Sequence, residues 1–152
     1  MPPPKRTFLG LMSERLSDLI EQQSAEVFAR AGLVIPVKSC SLLTAIEAEG
    51  PASIADLMRV LDRSHQLIQQ KLPKLVKLEL VTRRPNPDDQ RAKMIEITAK
   101  GREQLALLKT LSPQFDRAYS DIEEVAGPAF DTIIRTIESL ESRSLSERMA
   151  TG

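Results

Sequence analysis

His65, Gln66, Gln69, Gln70, Lys71 and Lys74 crowd into one short stretch, opposite an apolar stripe of Ile68, Leu72, Leu75 and Val76. Apolar residues three and four apart predict a helix over 65–78 with that stripe buried. Ser64, just before it, offers a hydroxyl to the unbonded amides of the first turn. The other face is suited to reading an edge rather than breaking a bond. A glutamine amide carries a donor and an acceptor side by side, which matches the edge of adenine and supplies about 1–3 kcal/mol of discrimination. Lysines add charge for phosphate oxygens without selecting a base.

A second set follows. Arg84, Gln90, Arg91 and Lys93 flank Asn86-Pro87-Asp88-Asp89, a run of turn-forming residues. Residues 59–93 hold nine Lys/Arg against four Asp/Glu, a net of +5. Residues 1–58 hold five against seven (−2) and residues 94–152 seven against ten (−3). A chain of zero net charge thus gathers its positive charge where the candidate readers lie, as a phosphate-binding surface requires. Arg84, Arg91 and Lys93 are expected to place the turn on phosphate or in a minor groove, with Lys71 and Lys74 anchoring the backbone.

The elements that must hold these groups can be read on either side. Helical spacing runs from Thr7 to Ala31 (Leu9, Met12, Leu16, Leu19, Ile20, Val27, Phe28) and stops at Gly32. A second helix opens at Pro36, buries Val37, Cys40, Leu43 and Ile46, and ends at Gly50-Pro51. Ser53 with Asp56 three residues on is a capping box, starting a short helix with Ile54, Leu57 and Leu61 inward. Asp62-Arg63-Ser64 then turns the chain into the reading helix. Leu80–Arg84 and Met94–Thr98 read as strands around the polar turn. Thr98 caps a helix beginning at Ala99, and Gly101 lets its first turn pack closely. Apolar spacing continues through Leu105, Leu108, Leu111, Phe115 and Ile122. Gly127-Pro128 breaks the chain before Phe130, Ile133, Ile134, Ile137 and Leu140.

This order predicts a mainly α (α+β) fold in one domain over 1–152, with a winged helix-turn-helix at about 36–101 and its wing at about 81–98. A winged helix of roughly 70 residues cannot cover the apolar stripes of the outer helices, about 7–31 and 102–143. Their expected use is a homodimer interface. A two-fold dimer also supplies a second reader for a pseudo-palindromic operator in double-stranded DNA.

Asp89-Gln90-Arg91-Ala92-Lys93, then Ile97-Thr98-Ala99-Lys100-Gly101, with Arg83-Arg84-Pro85 leading in, resembles the wing of the MarR family of transcriptional regulators. That wing has an Asp-x-Arg pair and a Leu/Ile-Thr-x-Lys-Gly ending, and the likeness extends over essentially the whole chain. The resemblance implies a homodimer that represses or activates genes, often its own operon. It implies a recognition helix 65–78 in the major groove, with Ser64, His65, Gln66, Gln69 and Gln70 facing the bases. The wing, 85–93, would lie on the minor groove or backbone, shaped by a salt bridge between Asp89 and Arg91. A small-molecule effector would act between the dimer helices and the DNA-reading lobe; the sequence does not say through which residues.

Four residues depart from the family pattern. Gln70 and Gln90 stand where relatives often carry Arg, and neither can neutralise a phosphate. Glu79 replaces a frequent Gly after the recognition helix. Pro73 removes an amide hydrogen bond in mid-helix at a cost of roughly 3 kcal/mol, so that helix is expected to kink or split. Weaker DNA binding, or a changed base preference, is the expectation. The alternative is a winged-helix dimer without operator binding that serves as a ligand-binding or protein-interaction module.

Other chemistries find little support. Asp88 and Asp89 lack a His or nucleophile partner, and no phosphate loop, nucleophile elbow or zinc signature is present, so neither an enzyme nor a cofactor or metal site is expected. Cys40 falls on an apolar stripe and reads as a buried structural thiol rather than a redox switch. A single Cys, no signal-peptide pattern and no apolar run of roughly 18 residues point to the cytoplasm and away from the membrane.

Overall fold

The computed structural model describes residues 5–62, 65–89 and 91–150. They fall into two compact units, residues 1–109 and 110–152. The winged helix lies wholly in the first.

Helix α1 (Leu9–Ala31) follows a 3-10 turn at Arg6–Phe8 and ends where Gly32 takes a left-handed conformation, φ 79°. Pro36 fixes the chain ahead of a second 3-10 turn, Val37–Ser39, so α2 begins only at Cys40 and runs to Glu49. Helix α3 (Ile54–Leu61) starts with the expected capping box: the Ser53 hydroxyl accepts the Asp56 N–H, and the Asp56 carboxylate accepts the Ser53 N–H. The Ser53 hydroxyl, which donates to the Asp56 carboxylate (2.6 Å), and then the Ser53 N–H hold the Asp56 carboxyl below its usual pKa. Helix α4 (His65–Lys77) runs unbroken through Pro73, which lies on its exposed side. The helix does not split. Its buried stripe is Ile68, Leu72 and Leu75; Val76, expected inside, is 37% exposed because the stripe drifts off the core after Leu75.

The end of α4 explains where the strands begin. Leu80 N–H bonds to the Leu75 carbonyl and Glu79 N–H to that of Val76, the paired bonds of a Schellman motif. Glu79 holds the left-handed position, φ 59°, that glycine normally fills. With Leu80 committed to this cap, strand β1 is Val81–Pro85, one residue later than expected. Strand β2 is Lys93–Ile97, one residue earlier, because Thr98 caps the next helix. The two pair antiparallel with Val81 opposite Ile97, Arg83 opposite Ile95 and Pro85 opposite Lys93. Ala52 extends the sheet by exchanging both main-chain bonds with Ile95 (3.0 and 2.8 Å).

Thr98 and Gly101 join sheet to helix α5 (Ala99–Ala126). Thr98 Oγ1 accepts the Gly101 N–H (3.0 Å) and donates to the Glu79 carbonyl (2.6 Å). A Cβ on Gly101 would lie 2.3 Å from the Leu80 carbonyl oxygen and 2.6 Å from Ile97 Cγ1. Only glycine fits. Around this joint lies the core: Leu42, Leu43, Ile46, Leu57, Leu72, Leu75, Leu80, Ile95 and Leu105 are almost wholly buried.

In the second unit, Gly127-Pro128 ends α5 and α6 (Ala129–Ser142) follows, its first turn tied by Glu123 Oε1, which accepts the Phe130 N–H (2.8 Å). A short α7 (Leu145–Met149), absent from the sequence reading, is capped by Ser144 and Glu147, and the Arg148 guanidinium reaches Ser139.

Candidate nucleic-acid interface

Helix periodicity sorts the residues of α4 into four rows. Ile68, Leu72 and Leu75 face the core. Gln66, Gln70 and Lys74 form an outward row at i, i+4 and i+8, all exposed. His65 and Gln69 form a row beside it and line a groove of about 510 Å³. Leu67 and Lys71, on the opposite flank, line a separate cavity of about 380 Å³. Ser64 and Gln90, both expected among the readers, lie outside the described residues.

Lys71 is not turned outward. Its ammonium donates to the main-chain carbonyl of Lys38. The Lys38 side chain in turn reaches Glu21 (2.6 Å) and Asp18 (3.4 Å) on α1. The Glu21 hydrogen bond is the main cause of a raised Lys38 pKa. Lys71 therefore ties the reading helix to the start of α2, and Lys74 is the ammonium left on the outward row.

The wing is built by two Asx turns in succession. Asn86 Oδ1 accepts the Asp88 N–H (3.0 Å), and Asp89 Oδ1 accepts the Arg91 N–H (2.9 Å). Asn86 N–H closes the loop on the Ala92 carbonyl (3.0 Å). The expected Asp89–Arg91 salt bridge is not seen: among the described residues no ion pair links them, and the Asp89 carboxylate accepts the main-chain N–H of Arg91 instead. The ion pair of the wing is instead Arg84 with Glu96. They sit diagonally across the strands, on the face shared with Thr82 and Met94.

Arg83 belongs to the other face. There Val81, Ile95 and Ile97 are buried, and the row continues outward through Arg83 to Pro85 and Lys93. Arg83, Lys93 and Arg91 thus line the same groove as His65 and Gln69. No Asp or Glu is among its lining residues. The sequence reading names Arg84 among the DNA-facing residues and does not name Arg83, which is the one that lines the groove. The parity of β1 would have separated them, but Leu80 and Val81 are both apolar, so the pattern alone does not fix which arginine shares the core face.

Cys40 is half-buried rather than enclosed, and burial pushes its thiol up to about 11. Its Sγ lies 3.8 Å from the Pro36 carbonyl. Asp88 and Asp89 serve the turn. Among the described residues no group of His, Cys, Asp and Glu could hold a metal ion.

Residues 35–92 match the model of the MarR family. No curated protein matches the sequence. Among solved structures, the PcaV transcriptional regulator from Streptomyces coelicolor is similar at 17% identity over 88% of this chain and 97% of its own, TM-score 0.66. The M. tuberculosis transcriptional regulator MosR in complex with DNA is similar at 20% identity over 90% and 98%, TM-score 0.65. A mutant of E. coli MarR complexed with operator DNA is similar at 18% identity over 88% and 99%, TM-score 0.62. These structures share the winged-helix fold over most of the chain, and the match to the MarR-family model falls on the helix-turn-helix and the start of the wing.

Proposed function

We propose that this chain is a DNA-binding transcriptional regulator acting as a homodimer, with α4 in the major groove and the wing on the minor groove or backbone. One observation carries the reading. The outward row of Gln66, Gln70 and Lys74 adjoins an acid-free groove lined by Arg83, Arg91 and Lys93. Base-reading amides beside phosphate-binding cations are what duplex recognition needs. Two of the similar structures were solved with DNA, which supports the same partner. A mobility-shift assay at low salt, with DNA from upstream of the chain's own gene, tests it. Specific retention is expected; no retention at any salt would refute it.

The dimer rests on apolar surface left open on separate helices. Leu9, Leu11, Leu16 and Leu19 of α1 are 44–59% exposed, and on α6 Phe130 is 71% and Ile137 47% exposed. Patches of this kind on a soluble chain mark contact surfaces. Truncation after Asp121 is expected to abolish the dimer, and a truncated protein that sediments as a stable dimer would sink this part of the reading.

Ligand response rests on the 380 Å³ cavity lined by Ser17, Lys38, Ser41, Leu61, Leu67 and Lys71. It touches α1, α2, α3 and α4, is of a size that suits a small molecule, and holds the Lys71 clasp on Lys38. No described helix is long and apolar enough to cross a membrane. The regulator would work in the cytoplasm, beside the DNA it reads.

A second reading, a winged-helix dimer without operator binding, draws on the same structure. Arg84 is neutralised by Glu96 and Lys71 is turned inward. With Gln at positions 70 and 90, the reading surface is short of charge for phosphate. No retention in the same mobility shift, with a dimer intact by sedimentation, would favour this module.

A further inference from the structure

The pleat of β1 separates its two adjacent arginines, and their surroundings differ in kind. Arg84 faces outward with Met94 and Glu96 and is paired with the Glu96 carboxylate. Arg83 is on the face of Ile95 and lines the groove together with His65, Gln69, Arg91 and Lys93. Among the described residues, the groove presents cations from β1, the wing and β2, and no carboxylate lines it. Like charges held together without a counter-charge repel one another, so the arrangement favours an anion. The groove lies between the row of α4 that carries the base-reading amides and the wing that flanks them. A polyanionic strand running from one to the other must pass over it.

We propose that Arg83, and not Arg84, is the strand residue that binds DNA, holding a backbone phosphate in the groove between α4 and the wing with Arg91 and Lys93 beside it. This rests on the reading of the chain as a duplex-DNA binder. Arg83 is a phosphate contact and a positioning residue: it fixes where the backbone crosses the protein, and so where Gln69 and Gln70 meet the bases. Arg84 serves the hairpin, through the cross-strand pair with Glu96.

The test is the salt dependence of duplex binding by the full-length protein, measured by fluorescence anisotropy for wild type, Arg83→Gln, Arg83→Lys and Arg84→Gln. Each phosphate contact contributes about 0.9 to the slope of log K against log salt. Arg83→Gln is expected to flatten the slope by about 0.9 per protomer. Arg83→Lys, which keeps the charge but loses the planar fork, should retain the slope while weakening binding. Arg84→Gln should not flatten it. Circular dichroism of each variant separates lost contact from lost fold, and Arg83→Lys carries the test if Arg83→Gln does not fold. Wild-type binding with an unaltered slope in Arg83→Gln, or a loss confined to Arg84→Gln, overturns the proposal while leaving the DNA-binding reading in place. Wild type that binds no duplex at any salt overturns both.

Discussion

Asp89 and Arg91 are joined through the backbone: Asp89 Oδ1 accepts the main-chain N–H of Arg91 at 2.9 Å. The carboxylate shapes the wing, and Arg91 lines the groove that has no Asp or Glu in its lining. A residue pair that looks like a salt bridge in sequence is therefore split, Asp89 to the turn and Arg91 to the groove.

The two roles come apart on mutation. Arg91→Ala keeps the main-chain amide, so the wing turn should persist while DNA affinity falls and the salt slope drops by about 0.9 per protomer. Asp89→Ala removes the acceptor and should destabilise the turn by about 0.5–1.5 kcal/mol; Asp89→Asn should largely preserve it. Hydrogen exchange at the amides of residues 86–92 checks this. Rapid exchange there in Arg91→Ala would mean that the side chain, after all, holds the wing.

Gly101→Ala should be costly. The new methyl would lie 2.3 Å from a main-chain oxygen, which cannot move without shifting the α4 cap. Overpacking of this kind costs about 1–3 kcal/mol. Thermal unfolding should show a clearly lower Tm, and an unchanged Tm would contradict the helix–strand joint described.

Glu79→Gly should stabilise. Glu79 occupies left-handed backbone at φ 59°, which costs a non-glycine residue about 1–2 kcal/mol. Glycine gives back part of that gain through a freer unfolded chain, about 0.4–1 kcal/mol. The carboxylate's ion pair with Lys100, 3.8 Å long and exposed, contributes little. A urea midpoint higher by the equivalent of roughly 0.5–1 kcal/mol is expected; a lower midpoint would show that the Glu79 side chain matters more than its backbone.

Much of this was legible in the sequence, and the parts that were not share a cause. The caps at Ser53 and Thr98 and the turn at Asn86–Asp89 depend on local chemistry, and each appears where its residues predict. Pairings across space did not. The choice between Arg83 and Arg84 depends on strand parity, hidden by two apolar residues in a row. The inward turn of Lys71 depends on the Lys38 carbonyl, 33 positions away. Val76 looked buried because helical spacing cannot say where a core ends. Pro73 raised doubt about α4, yet the helix runs from His65 to Lys77 with the proline on its exposed side.

Cys40 should be a slow nucleophile. Burial raises its thiol from 9.0 to about 11, so roughly one molecule in ten thousand is thiolate at pH 7. Labelling by iodoacetamide at neutral pH should lag far behind that of the unfolded chain. The sign for stability follows: the folded thiol keeps its proton longer than the unfolded one. This contribution is therefore fully present below pH 9.0 and is lost as pH rises through about 11. Labelling as fast as in the unfolded chain would contradict the burial.

Hydroxyl-radical footprinting of the full-length protein on DNA from upstream of its own gene tests the central claim most directly. A dimer reading through α4 and the wing should protect two segments about 10 base pairs apart, or a multiple of that, related by a two-fold axis. Each should include minor-groove sugars beneath the wing. Uniform cleavage at every protein concentration, at low salt, would contradict it.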